Sequence, residues 1–165
     1  MKKVNEILNN TIYKKCIKEI EVMEQDRVFC RHNINHFLDM ARIAYILVLE
    51  EGLSYSKEVI YAIGLLHDIG RAQEYKNNIN HDEAGVMISE KILKETSYST
   101  DEINLILNAV ANHGNKDAED KFLNKAYKIR DTSQYEKTPQ KALQSVLRLS
   151  FKNNTDYTKM VIKSP

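Results

Sequence analysis

The spacing of hydrophobic positions predicts α-helices along most of the chain. From Val4 to Met23 the apolar side chains recur at intervals of three, four and one residues, which is the period of a helix with one buried stripe. A second pattern of this kind runs from Arg31 to Glu51, and Gly52 is well placed to end it. A third helix follows and contains the strongly apolar stretch from Val59 to Leu66.

The second half of the chain predicts four more helices, at about residues 81–93, 101–113, 121–133 and 140–153. The polar stretch from Gln73 to Asn80 is predicted to be a turn. No alternating pattern indicates a strand, and residues 154–165 form a weakly patterned tail. We therefore expect an all-α protein: one helical bundle of six or seven helices over residues 1–153, with residues 31–134 as its motif-bearing core.

Composition agrees with this interpretation and excludes several classes of function. Hydrophobic residues make up 42% of the sequence and charged residues 28%, as in ordinary globular proteins. Two prolines and five glycines in 165 residues are too few for a turn-rich β-sandwich. Because 24 basic residues nearly balance 23 acidic ones, the net charge of +1 gives no electrostatic footprint for DNA or RNA.

The cysteines and the apolar runs predict where the protein works. Cys16 and Cys30 are too far apart for a CxxC zinc motif, and two thiols without a signal peptide indicate a reducing compartment. No apolar run reaches the length of a membrane-spanning helix. We expect a cytoplasmic protein with no membrane partner, and the apolar first helix leaves a homodimer open.

Candidate chemistry lies in the histidines, which are His32, His36, His67, His81 and His113. The first two are four residues apart and share a helix face, and the third is followed directly by Asp68. Imidazole and carboxylate ligands suit zinc, iron and manganese, and helical bundles hold such ions between their helices. A single buried histidine is more often a hydrogen-bonded core residue than a ligand. For His32, which could cap or line the pocket, that interpretation is preferred.

Two segments together resemble the HD-domain superfamily of metal-dependent phosphohydrolases: HFLDMAR at residues 36–42 and LLHDIGR at residues 65–71. The resemblance extends from about Arg31 to Asp131. It implies that the metal ligands are His36, His67, Asp68, His81, His113 and Asp131. It also implies that Asp68 bridges two ions. An ungapped comparison places Tyr127 at the position of the last acid, and a small shift is needed to place Asp131 there.

The resemblance further implies hydrolysis of a phosphate ester, with a nucleotide as the expected small-molecule substrate. One or two divalent ions (Fe, Mn, Zn, Co, Ni or Mg) would activate water, and Asp68 and Arg71 are the expected catalytic residues. Arg71 stands where family members often have lysine, and a guanidinium can also bind phosphate. Two alternatives remain open: an HD-fold di-iron oxygenase, and a non-catalytic metal-containing module that binds a nucleotide.

Overall fold

Seven α-helices make up most of residues 1–28 and 31–113, the part of the chain that the computed structural model describes. They are α1 (Lys2–Asn9), α2 (Thr11–Met23), α3 (Ile34–Glu50), α4 (Lys57–Leu66), α5 (Arg71–Asn77), α6 (His81–Leu93) and α7 (Thr100–Asn112). These residues contain no strand, so the all-α prediction is confirmed. The predicted helices at 121–133 and 140–153, the tail, Tyr127 and Asp131 lie outside the described residues.

The prediction of one helix from Val4 to Met23 is wrong, because Asn10 divides this segment into α1 and α2. Its backbone is extended, with φ −62° and ψ 136°. Its side-chain oxygen accepts hydrogen bonds from the backbone N–H groups of Ile12 and Tyr13, at 2.8 and 3.2 Å. Asn10 is therefore the N-cap of α2. The apolar period continues across the break, which is why the sequence pattern does not reveal it.

Replacing Asn10 with alanine is expected to lower the free energy of unfolding by about 1–2 kcal/mol, because the cap of α2 is lost. The substitution also removes the 2.7 Å hydrogen bond from Asn10 Nδ2 to Glu95 Oε2. Urea unfolding of the two proteins measures the difference. The matched control is Asn9→Ala at an exposed position, which should change stability by less than about 0.5 kcal/mol. Equal effects of the two substitutions would contradict the assignment of the cap.

The prediction of a turn from Gln73 to Asn80 is also wrong for most of that segment, which belongs to α5. This helix has one buried residue, Ala72, and Tyr75 packs partly buried against the core. It ends at Asn78, whose left-handed backbone (φ 54°) is characteristic of a helix C-terminus. Two apolar residues in a helix of seven are too few to give a recognisable hydrophobic period in the sequence.

Close backbone contacts bring the predicted site segments together. A Cβ atom added at Gly64 of α4 would lie 2.6 Å from the Cβ of Ala41 on α3, so this glycine lets the two helices approach closely. The approach places His36 of α3 opposite His67, the residue that follows α4. Among the described residues, no helix is both long enough and apolar enough to cross a membrane.

Candidate metal centre

Asp68 lies at the centre of the histidine cluster, in the turn between α4 and α5. Its side chain is completely buried, at 0% exposure, although it carries a charge. Burial of a carboxylate is costly unless opposite charges or hydrogen bonds surround it. Each of its two oxygens faces a different set of side chains, and these two sets define the geometry of the site.

Three histidines surround Oδ2 of Asp68. The Nε2 atoms of His32, His36 and His67 lie 3.5, 3.7 and 3.1 Å from this oxygen. The Nε2 atoms of His36 and His67 are 3.3 Å apart. We call these three histidines and Oδ2 the inner group, because all of them are at most 3% exposed.

The other oxygen, Oδ1, faces a more open set of side chains. Nε2 of His113 lies 3.6 Å from it, and Nε of Arg71 donates a hydrogen bond to it at 3.0 Å. His81 completes this outer group: ligand atoms of Asp68, His81 and His113 lie within 4.8 Å of one another. Solvent reaches the centre on this side, where the side chains of His81 and Arg71 are 21% and 22% exposed.

The hydrogen bonds made by the Nδ1 atoms of His67 and His113 suit a metal centre. Nδ1 of His67 donates to the carbonyl oxygen of Gly64, and Nδ1 of His113 donates to that of Val110, both at 2.8 Å. In a neutral imidazole so bonded, the lone pair is on Nε2, the atom that faces Asp68. Lone pairs that face a buried carboxylate repel it unless a cation lies between them. The donor set therefore fits a divalent ion.

The pKa shifts of Asp68 and His113 also show that this site favours positive charge. Burial would raise the pKa of the Asp68 carboxyl, but the surrounding histidines His67, His113 and His36 hold it well below its usual range. Burial would lower the pKa of His113, and its contacts with Asp68 raise it instead. Protons or metal ions can supply this charge, and they compete for the same ring nitrogens.

The structure brings together five of the six predicted metal ligands: His36, His67, Asp68, His81 and His113. The sixth, Asp131, lies outside the described residues. His32, for which a core role was preferred, lies in the inner group. Arg71 contacts Asp68 and also donates from a terminal nitrogen to Glu74 Oε2 at 2.9 Å.

Sequence reasoning missed three carboxylates next to the histidines. Glu24 accepts from Nδ1 of His32 at 2.6 Å, and Glu74 lies 3.1 Å from Nδ1 of His81. Asp82 has one oxygen 3.2 Å from His81 Nε2 and 3.3 Å from Nδ1 of His113. Glu24 is 4% exposed, and its pKa reflects this environment: burial raises it, but hydrogen bonds from His32 and Tyr75 hold it at about 2.

Comparison with known proteins identifies the family of the chain. The family model described as HD domain matches residues 33–149. An uncharacterized protein of Clostridium beijerinckii is 42% identical over 119 residues, which cover 72% of this chain and 76% of that protein.

Two more distant relatives have a named activity. Ribonuclease Y 1 of Pediococcus pentosaceus and ribonuclease Y of Enterococcus faecalis are each 28% identical, over 59% and 66% of this chain. The chain spans only 17% and 19% of these two proteins. No solved structure matches the chain. The family model covers residues 33–149, most of the chain, so the chain belongs to the HD domain family.

Proposed function

We propose that this protein is a metal-dependent phosphohydrolase that cleaves a phosphate ester, with nucleotides as the substrate class. The observation that carries the proposal is the position of Asp68, whose two buried oxygens face two separate groups of histidines. A shared carboxylate between two ligand sets is the arrangement of a two-metal site. Membership in the HD domain family supports the same class of chemistry.

The side chains have distinct tasks in this proposal. His36, His67 and Asp68 would hold an ion in the inner group, and Asp68, His81 and His113 would hold one in the outer group. Divalent ions at these positions would lower the pKa of bound water and offset phosphate charge. The predicted ligand Asp131 remains part of the proposal.

Arg71 would bind the phosphate of the substrate. Its guanidinium lies at the open side of the centre, held by Asp68 and Glu74. Its donors have the fork geometry that suits phosphate oxygens, and its charge adds to that of the ions. The 22% exposure of its side chain leaves a surface that a substrate can reach.

A metal-and-substrate panel tests the proposal. The protein, loaded with Mn²⁺ or Co²⁺, is assayed for phosphate release from nucleoside monophosphates, alarmones, dinucleoside polyphosphates and cyclic dinucleotides. A short RNA belongs in the panel because two relatives are ribonuclease Y proteins. Metal-dependent turnover of one class is expected. Oxygen consumption by the iron-loaded protein would favour the oxygenase, and metal-saturated protein without turnover would favour the binding module.

Replacing Arg71 with glutamine is expected to lower kcat/KM by about 10²-fold, because one charged donor to the phosphate is lost. Arg71→Lys should recover part of this loss, since it restores the charge without the fork. Steady-state kinetics on the best substrate of the panel measure both. The control is Arg42→Gln on the exposed face of α3, where Arg42 forms a surface ion pair with Asp39. If both glutamine variants keep wild-type kcat/KM, the role of Arg71 is refuted.

A further inference from the structure

We propose that His32 is an additional metal ligand of the inner group, and that Glu24 is the positioning residue that orients it. This inference rests on the proposed metal centre but goes beyond it. The family model begins its match at residue 33, so neither residue lies within the matched segment. Glu24 is also distant from the HFLDMAR and LLHDIGR motifs in the sequence.

Glu24 is a buried carboxylate that lies just after α2 and collects hydrogen bonds from several elements. One oxygen accepts from Nδ1 of His32 at 2.6 Å, from Arg27 at 3.1 Å and from the hydroxyl of Tyr75. The other accepts from the backbone N–H of His32, also at 2.6 Å. His32 is therefore held by the same carboxylate at its backbone and at its ring, which fixes the direction of the imidazole.

This contact also fixes which ring nitrogen is available to a metal. An ionised carboxylate can only accept hydrogen bonds, so Nδ1 of His32 carries the proton. In the neutral ring the lone pair is then on Nε2, which lies 3.5 Å from Oδ2 of Asp68. Carboxylate–histidine–metal arrays of this kind set the tautomer of the ligand and increase its basicity.

The distances are those of atoms that share one ion. With metal–nitrogen bonds of about 2.1 Å, two ligand atoms of a tetrahedral site lie roughly 3.4 Å apart. The 3.5 Å between His32 Nε2 and Asp68 Oδ2 matches this spacing. Ligand atoms of His32, His36 and Asp68 all lie within 4.8 Å of one another, and all three side chains are buried. His32 thus gives the inner group a third imidazole.

The competing structural role is a charged His32 that bridges two carboxylates, Glu24 and Asp68, without binding metal. The two roles differ in a measurable way. A bridging imidazolium would be displaced or repelled by a cation in the inner group, so its removal would leave metal affinity unchanged or raise it. Removal of a ligand lowers affinity and changes the coordination of the bound ion.

Metal binding by variants of the full chain tests the inference. We expect Glu24→Gln to weaken Co²⁺ binding by about 10- to 100-fold in competition with a chelator, and His32→Ala to weaken it at least as much. The Co²⁺ absorption spectrum should change in His32→Ala, because one imidazole leaves the coordination shell. Glu19→Gln is the matched control on α2: Glu19 forms a partly exposed ion pair with Lys76, and its loss should leave affinity within about twofold.

The outcomes separate this inference from the proposed function. If the wild-type protein binds Co²⁺ and His32→Ala binds it with the same affinity and spectrum, His32 is not a ligand and only this inference fails. If the wild-type protein binds no divalent ion, the proposed function fails together with it. Should Glu24→Gln unfold, as judged by circular dichroism, Glu24→Asp replaces it, because the shorter carboxylate keeps the charge but no longer reaches Nδ1 of His32 in the same geometry. Wild-type Co²⁺ affinity in the folded Glu24 variant would refute the positioning role of Glu24.

Discussion

The Asp68→Asn variant is expected to lose phosphohydrolase activity by about 10³-fold or more and to bind less than one ion per chain. The carboxylate serves both groups of histidines, through Oδ2 and Oδ1. An asparagine has the same shape but has no negative charge, and its NH₂ group would point a donor at one of the two groups. Elemental analysis of the purified variant and kinetics with the best substrate measure the two losses.

The control for this variant is Asp39→Asn. Asp39 lies on α3, its side chain is 50% exposed, and it forms a surface ion pair with Arg42 at 2.9 Å. It should keep wild-type metal content and activity, because surface ion pairs contribute little. If Asp68→Asn keeps the full metal content of the wild-type protein, Asp68 is not a metal ligand, whatever the activity of the variant.

The second large effect is expected at Gly70, which follows the His-Asp pair. A Cβ atom built there would lie 1.9 Å from the carbonyl oxygen of His81 and 2.5 Å from the backbone nitrogen of Gly85. Both are backbone atoms at the start of α6, so they cannot rotate away as a side chain could. Gly70→Ala should lower the free energy of unfolding by about 3 kcal/mol or more, as measured by urea unfolding.

The same contact can be tested from its other side with Gly85→Ala. Here the nearest atom to the added Cβ is a methyl carbon of Val110, at the ordinary contact distance of 3.4 Å. Alanine also has a higher helix propensity than glycine, so this change should stay within about 1 kcal/mol of wild type in either direction. Similar stabilities of the two variants would refute the close approach at Gly70. A distorted Gly70 should also weaken metal binding through His81.

The two predictions that failed, a single helix from Val4 to Met23 and a turn from Gln73 to Asn80, have identifiable physical causes. Helices α3, α6 and α7 each bury one stripe of side chains, so the sequence shows a clear hydrophobic period in these segments. The break at Asn10 is invisible because a capping side chain, not a change of hydrophobic period, creates it. Helix α5 is too short to show any period.

The candidate site follows a similar division. Asp68 and four of its histidines (His36, His67, His81 and His113) could be predicted, because these rare residue types stand in segments that resemble family motifs. Glu24, Glu74 and Asp82 could not, because 23 acidic residues are present and only the fold selects these three. The placement of His32 depended on Glu24 and was therefore equally hidden.

The position of Asp68 between two groups has a thermodynamic consequence. Two ions bound at once would share a single negative charge, so each would reduce the attraction available to the other. Their binding equilibria would then be coupled, and the coupling free energy would be the same whichever ion arrives first. The number of ions per chain would depend on the free metal concentration. One ion per chain at low free metal concentration and two ions at high concentration would then belong to the same binding curve.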